Sequence, residues 1–140
     1  MADYAHLQLT IEGRLATVAL RRPAQRNALS QALMRELIAC ARELADRSDI
    51  DAVLLTGDDV CFCAGADLKD ARAWADESLP ISRRRDIASL GYKLCKAWEE
   101  VPQITIAAIE GYAVGGGLAL SLACDSVSYT HLTLPTIYSV

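Results

Sequence analysis

The sequence has no apolar run of the roughly 20 residues that a membrane-spanning helix needs. Its opening segment, MADYAHLQLTIEG, shows no basic stretch followed by an apolar block, which is the pattern of a secretory leader. Positive charge is also scarce, because 14 Lys and Arg face 18 Asp and Glu, for a net charge of −4. We therefore expect neither membrane nor nucleic acid as a partner, since binding to phosphate backbones requires a clustered basic excess.

Histidine is nearly absent, with only His6 and His131, and the five cysteines form no CxxC pair. This pattern excludes a disulfide scaffold and leaves Cys61 and Cys63 without a nearby histidine to activate a thiol. We assign both cysteines to packing and predict a protein of the reducing cytoplasm. A chain of 140 residues that is 52% hydrophobic is long enough for one domain with a modest core.

Hydrophobic periodicity predicts alternating strands and helices. In chain order these are strands at 6–11 and 14–20, a helix from Ser30 to about Arg47, a strand at 51–56, helices at about 67–74 and 81–99, and a strand at 104–109. The first two strands would form a hairpin around Glu12 and Gly13. The unbroken apolar run at 53–55 is typical of a strand covered on both faces. The order of elements predicts an α/β fold with parallel strands and right-handed crossovers.

Two loops rich in small residues follow predicted buried strands. The first is Cys63–Ala66, and the second runs from Glu110 to Gly117, just before the apolar helix predicted at 118–124. Small residues let backbone N–H groups face a ligand, and a helix N-terminus adds unpaired donors and the positive end of the helix dipole. Because the carboxyl ends of parallel strands lie together, two N–H groups from these loops are expected to converge on one oxygen.

Three motifs in fixed order carry a resemblance to a known family. They are RRPAQRNALS at 21–30, CAGADLK at 63–69 and EGYAVGGGLALSLACD at 110–125. This ordered set closely resembles the enoyl-CoA hydratase/isomerase (crotonase) superfamily and corresponds to about the first half of a family domain. The resemblance implies an α/β crotonase-like spiral of ββα units, the ClpP/crotonase type, here truncated. It also implies that the substrate is an acyl-CoA thioester.

The resemblance implies roles for individual residues. The backbone N–H groups of Ala66 and Gly116 would form the catalytic oxyanion hole, which binds the thioester oxygen as it becomes enolate-like. Such preoriented donors are typically worth a few kcal/mol. The residues implied in coenzyme A binding are Arg22, Arg26, Ala64, Asp67, Leu68 and Lys69. The family chemistry needs no metal or redox cofactor, and its members assemble as homotrimers or hexamers.

One position departs from the hydratase pattern. Hydratases of the family use two glutamates, and the first belongs at position 119, which is Ala119 here. A methyl group cannot accept a proton, so two-glutamate hydration is doubtful and the second acid would belong beyond Asp125. Double-bond isomerisation, hydration and hydrolysis therefore stay open for the parent enzyme, and we expect the chain itself to be inactive. A non-catalytic acyl-CoA binder, an unstable half domain and a Clp-type serine peptidase using Ser121 are the alternatives.

The final segment differs in composition from the rest. Residues 126–140 contain no Asp, Glu, Lys or Arg, and the string SVSYTHLTLPT resembles translated sequencing-adapter DNA. We therefore predict a crotonase-like part at 1–125 followed by an artefactual tail at 126–140. In the alternative interpretation, 126–130 is a genuine strand, which its β-branched residues weakly favour.

Overall fold

The computed structural model describes residues 2–130, apart from the side chain of Trp74, and forms a sheet flanked by helices. The strands are β1 (Leu7–Glu12), β2 (Leu15–Leu20), β3 (Ala52–Thr56), β4 (Cys61–Cys63), β5 (Ile104–Ile109), β6 (Tyr112–Ala113) and β7 (Ser126–Tyr129). The helices are α1 (Gln31–Ala45), α2 (Leu68–Ala71), α3 (Ile81–Ala88), α4 (Leu90–Glu99) and α5 (Gly116–Leu122), with 3-10 turns at Pro23–Gln25 and Arg72–Ala75.

The main sheet has the strand order β1-β2-β3-β5-β7, in which only the β1–β2 pair is antiparallel. The predicted hairpin is confirmed, because Glu12 pairs with Leu15 across a turn in which Gly13 has a φ of 61°. The parallel pairing of β2, β3 and β5 is also as predicted. It brings the carboxyl ends of β3 and β5 to one edge of the sheet, where ligand-binding loops of α/β folds gather.

Helix α1 forms where its apolar spacing predicts. The Ser30 side chain accepts a hydrogen bond of 3.1 Å from the N–H of Leu33, and so caps one of the unpaired donors of the first turn. The buried residues of the helix recur at three- and four-residue spacing and are joined by Cys40; they are Leu33, Leu37, Ile38, Cys40, Ala41 and Leu44. This face joins one continuous core with β2, β3 and β5 and with the buried face of α4, whose Trp98 is fully buried.

The structure corrects three details of the predicted elements. The helix predicted at 81–99 is interrupted at Ser89, whose hydroxyl donates to the carbonyl of Asp86 and competes with the helical backbone bonds. Helix α5 begins at Gly116 rather than at residue 118, so two glycines belong to its first turn. Strands β4 and β6 were not predicted; they pair in parallel as a separate two-stranded sheet beyond the carboxyl ends of β3 and β5.

The predicted boundary at 125/126 stays a prediction. In the structure, Ser126–Tyr129 forms β7, which pairs in parallel with β5 from Ile106 to Ile109. Asp125 supports this strand, because its carboxylate accepts a hydrogen bond from the Thr105 N–H at 2.9 Å. The strand agrees with the alternative interpretation of residues 126–130. The rest of the predicted tail, including His131, lies outside the described residues.

Candidate active site

The first glycine-containing loop is held by backbone pairing to the segment before α1. The N–H of Leu29 donates to the carbonyl of Gly65 at 2.7 Å, and the N–H of Asp67 donates to the carbonyl of Leu29 at 3.1 Å. Leu29 and Ala66 thus form an isolated parallel bridge. Successive backbone groups of an extended segment point to opposite sides. The N–H of Ala66, between these two bonds, therefore faces away from Leu29.

The second loop lies directly against the first. The N–H of Val114 donates to the carbonyl of Cys63 at 3.0 Å, and Cys63 itself pairs with Ala113. Gly117 makes the closest approach, because a methyl group added there would lie 2.5 Å from the carbonyl oxygen of Cys63 and 2.7 Å from its Cβ. The loops are this close because no side chain intervenes. Only a glycine fits at position 117 without moving the backbone.

These contacts bring the two predicted oxyanion donors together. A methyl group added at Gly116 would lie 3.9 Å from the nitrogen of Ala66, and one added at Gly65 would lie 3.6 Å from the nitrogen of Gly116. Gly116 is the first residue of α5, whose first-turn N–H groups lack helical partners. Within residues 2–130, neither the N–H of Ala66 nor that of Gly116 has a hydrogen-bond acceptor. Two unpaired donors therefore lie side by side.

Both donors belong to the wall of one apolar cavity of about 400 Å³. This acyl cavity, as we name it, falls in the size range of small-molecule sites, roughly 300–1,000 Å³. Its walls come from the Leu29 segment, the first loop and helices α1 to α5, and its lining residues are Leu29, Gln31, Met34, Ala66, Asp70, Ala71, Ile87, Ala88, Gly91 and Gly116. Asp70 is its one carboxylate, and that group accepts a hydrogen bond of 2.5 Å from the N–H of Gln31.

A second, more open cleft of about 690 Å³ shares Ala66 and Asp70 with the acyl cavity. Four of the six residues implied in coenzyme A binding line it, namely Arg22, Asp67, Leu68 and Lys69. Lys69 is exposed and offers its ammonium group at this cleft. The other two do not line it. Arg26 donates to the Tyr112 hydroxyl at 3.3 Å, and the N–H of Ala64 donates to the Arg26 carbonyl at 3.0 Å.

Arg22 is held in place by the protein itself. Its guanidinium contacts the carboxylate of Asp67 at 3.0 Å and donates to the carbonyl of Ala28, and both side chains of the ion pair are only 13 to 15% exposed. Burial acts to raise the pKa of Asp67, but the hydrogen bonds from Arg22 and from the N–H of Asp70 outweigh it and hold the pKa below its usual range. Asp67 also caps α2, because its side chain accepts hydrogen bonds from the N–H groups of Lys69 and Asp70. Arg22 and Asp67 therefore position the first loop.

Asn27 is a positioning residue that sequence analysis did not single out. It is fully buried and has a φ of 57°, a left-handed conformation that asparagine tolerates better than most residues. Its side-chain oxygen accepts from the Arg22 N–H at 2.8 Å, and its amide nitrogen donates to the Cys61 carbonyl at 3.0 Å. Asn27 thus ties the segment before α1 to β4. The signal available in the sequence was an amide side chain within the basic motif at 21–30.

Side-chain nucleophiles are not assembled at this site. Ala119 is exposed on α5 and does not line the acyl cavity. Burial raises the pKa of the Cys61 thiol, and it raises that of Cys63 to about 11, in agreement with packing roles. The Ser121 hydroxyl donates to the Leu118 carbonyl at 2.7 Å, while His6 lies beside Glu36 on α1. The described part of the chain therefore offers no Clp-type Ser–His pair.

Comparison with known proteins agrees with the fold. The sequence profile of the enoyl-CoA hydratase/isomerase family matches residues 10–131, and the chain belongs to this family. Its fold is the crotonase fold: the chain superposes on an enoyl-CoA hydratase of Bacillus anthracis with a TM-score of 0.78 at 35% identity, covering 89% of this chain and 47% of that one. An enoyl-CoA hydratase of Shewanella pealeana gives a TM-score of 0.81 at 26% identity, with 89% and 46% covered.

Among curated relatives, the YngF protein of Bacillus subtilis, whose name places it with enoyl-CoA hydratases and isomerases, is 40% identical over 112 residues. That match covers 79% of this chain and 41% of the relative. A mouse mitochondrial Δ(3,5)-Δ(2,4)-dienoyl-CoA isomerase is 35% identical over 130 residues, covering 88% and 40%. The chain thus spans about two fifths of the length of these relatives. Between residues 2 and 130, no helix is long and apolar enough to cross a membrane.

Proposed function

We propose that this chain forms the acyl-CoA-binding half of an enoyl-CoA hydratase- or isomerase-type enzyme. The backbone N–H groups of Ala66 and Gly116 would form its oxyanion hole. They would donate to the thioester carbonyl oxygen and stabilise the negative charge that grows there when an enolate forms. The acyl group would enter the acyl cavity, and the coenzyme A moiety would lie along the cleft that bears Lys69.

One observation carries this proposal: two neighbouring backbone N–H groups without partners open on an apolar cavity. Two neighbouring donors that no protein acceptor occupies are already oriented to pair with one ligand oxygen at the cavity wall. The N-terminus of α5 adds its partial positive charge at Gly116. The shared wall at Ala66 would place the thioester between the acyl cavity and the cleft.

The described residues supply donors but no evident acid–base group. Ala119 replaces the first hydratase glutamate, and the Asp70 carboxylate already accepts from the backbone of α1. We therefore expect the chain to bind acyl-CoA without turning it over, and we assign double-bond isomerisation or hydration to the parent enzyme. An acyl-CoA hydrolase of the same family and a non-catalytic binder are the alternative functions. Because Ala119 stands where the hydratase glutamate belongs, a non-catalytic acyl-CoA binder is the favoured function for residues 1–140 alone.

The test compares two ligands that differ in one oxygen. Butyryl-CoA has the thioester carbonyl, whereas S-butyl-CoA, a thioether, lacks it and keeps the rest of the molecule. Calorimetric titration should show the thioester binding about 3- to 10-fold more tightly, as expected for one net hydrogen-bonding interaction. Gly116→Pro should weaken this preference because proline has no N–H and only the Ala66 donor remains, while proline is tolerated at the first position of a helix.

Gly116→Ala is the matched control, because it adds side-chain atoms but keeps the N–H, and it should retain the preference for the thioester. A folded Gly116→Pro variant that still prefers the thioester as strongly as the wild type would contradict the oxyanion hole. The exchange of the α-protons of butyryl-CoA for deuterium in D2O, monitored by NMR, distinguishes an enzyme from a non-catalytic binder. Exchange would require a base and support an enzyme, whereas binding without exchange would leave this chain an acyl-CoA binder.

A further inference from the structure

Gly91 lies in the wall of the acyl cavity, on the first turn of α4. A glycine within a helix costs roughly 1 kcal/mol relative to alanine. Its backbone does not require glycine, because it is not among the residues with positive φ. Packing does not require it either, because a methyl group added at Gly91 would meet no atom within 4 Å. Neither backbone conformation nor close packing therefore explains this residue.

Gly91 is exposed and lines the acyl cavity, so the open space beside it is continuous with that cavity. Ile87 and Ala88, at the end of α3, line the same wall. Met34 and Ala71 line the cavity from α1 and α2. A larger side chain at position 91 would project from this wall and take up volume that is now empty.

The wall that carries Gly91 is fixed to the rest of the fold. Helix α4 packs against α1. Asp86 on α3 contacts Arg35 on α1 at 2.7 Å and Lys93 on α4 at 2.9 Å. Leu90 and Leu94, on either side of Gly91 in sequence, are buried in the core. The wall formed by α3 and α4 is therefore held in place, and the side chain at position 91 decides how much of the cavity volume beside it stays open.

We infer that Gly91 is a specificity-determining residue, which opens the acyl cavity to the distal part of a medium-length, uncharged aliphatic acyl group. This inference rests on the proposed acyl-CoA function. One water molecule occupies about 30 Å³ in the liquid, and if each heavy atom of a ligand takes a similar volume, the 400 Å³ cavity holds on the order of ten heavy atoms. Its lining is apolar except at Gln31 and Asp70, and the Asp70 carboxylate disfavours an acyl group that ends in another carboxylate.

The test varies acyl length and cavity volume together. Butyryl-CoA and decanoyl-CoA are titrated into the wild type, Gly91→Ala and Gly91→Leu, with folding verified by circular dichroism. Alanine and leucine are both strong helix formers, so these variants differ mainly in the volume they add. Tyr92→Leu is the positional control, because Tyr92 is exposed on the same turn and does not line the acyl cavity.

Gly91→Leu should weaken decanoyl-CoA binding by about tenfold or more, as expected when roughly two methylenes lose their apolar contacts, and should change butyryl-CoA binding by less than about twofold. Gly91→Ala should fall between the wild type and Gly91→Leu, with a melting temperature above that of the wild type. If Gly91→Leu lost affinity equally for both ligands, or lost none for decanoyl-CoA, the inference about Gly91 would be overturned while the proposed function would stand. A folded wild type that binds neither thioester would overturn the proposed function and, with it, this inference.

Discussion

Replacing Gly117 by alanine adds one methyl group where α5 meets β4, and the structure predicts its cost. The new Cβ would lie 2.5 Å from the carbonyl oxygen and 2.7 Å from the Cβ of Cys63, whereas favourable carbon contacts begin near 3.5 Å. The two backbones must therefore separate by roughly 1 Å. Overpacking of this kind typically costs about 1–3 kcal/mol, and the better helix propensity of alanine offsets up to about 1 kcal/mol.

We expect a net destabilisation of about 1–2 kcal/mol, which lowers the melting temperature of a domain of this size by roughly 5 °C. The assay is thermal unfolding followed by circular dichroism. Gly116→Ala is the comparison, because it changes the neighbouring residue in the same helical turn. The closest atom to its Cβ would be the movable end of the Leu29 side chain, at 3.1 Å. Equal melting temperatures for the two variants would refute the claim that the loops are in backbone contact at Gly117.

Two further predictions concern the framework around the site. Asn27→Ala should lower the free energy of unfolding, measured by urea denaturation, by about 1–3 kcal/mol, because it leaves the Arg22 N–H and the Cys61 carbonyl without their buried partner. Gln25→Ala, at an exposed neighbouring position, is the control. An equal loss of stability in both variants would argue against this role of Asn27. Hydrogen bonds from Arg35 and Lys93 hold the pKa of Asp86 at about 2, below its usual range. The ionised carboxylate therefore stabilises the fold above about pH 4, and this stabilisation is lost as the pH falls through about 2. Asp86→Asn should flatten the dependence of stability on pH in this window, and a curve parallel to the wild type would contradict the prediction.

Much of the main sheet could be predicted because its elements are long enough to show a period. The hairpin, α1, β3 and β5 each contain five or more residues with clear alternation, helical spacing or a continuous apolar run. Strands β4 and β6, with three and two residues, are too short for any period, and their pairing joins residues about 50 positions apart. The interruption at Ser89 depends on one hydroxyl bond that no hydrophobic pattern records.

In the candidate site, too, features that depend on local sequence could be predicted, whereas features that depend on distant contacts could not. Ala66 and Gly116 could be proposed from motif resemblance and from the expectation that the glycine loop lies at the N-terminus of the next helix, since both arguments depend on local sequence. The pairing of Arg22 with Asp67 could not be predicted, because it depends on a contact across 45 residues. Gly91 also escaped notice. A glycine inside a helical pattern looks neutral until the empty space beside it is known.

The two main-chain donors at Ala66 and Gly116 have a consequence for how such a site is mapped. Residue 66 is already alanine and residue 116 has no side chain, so conventional alanine scanning would pass over both donors. The harmful substitutions found by such a scan would fall on the residues that support the loops, and the two donors themselves would not be identified. Probes that alter the main chain itself, such as amide-to-ester substitution by chemical ligation, are the ones that reach it.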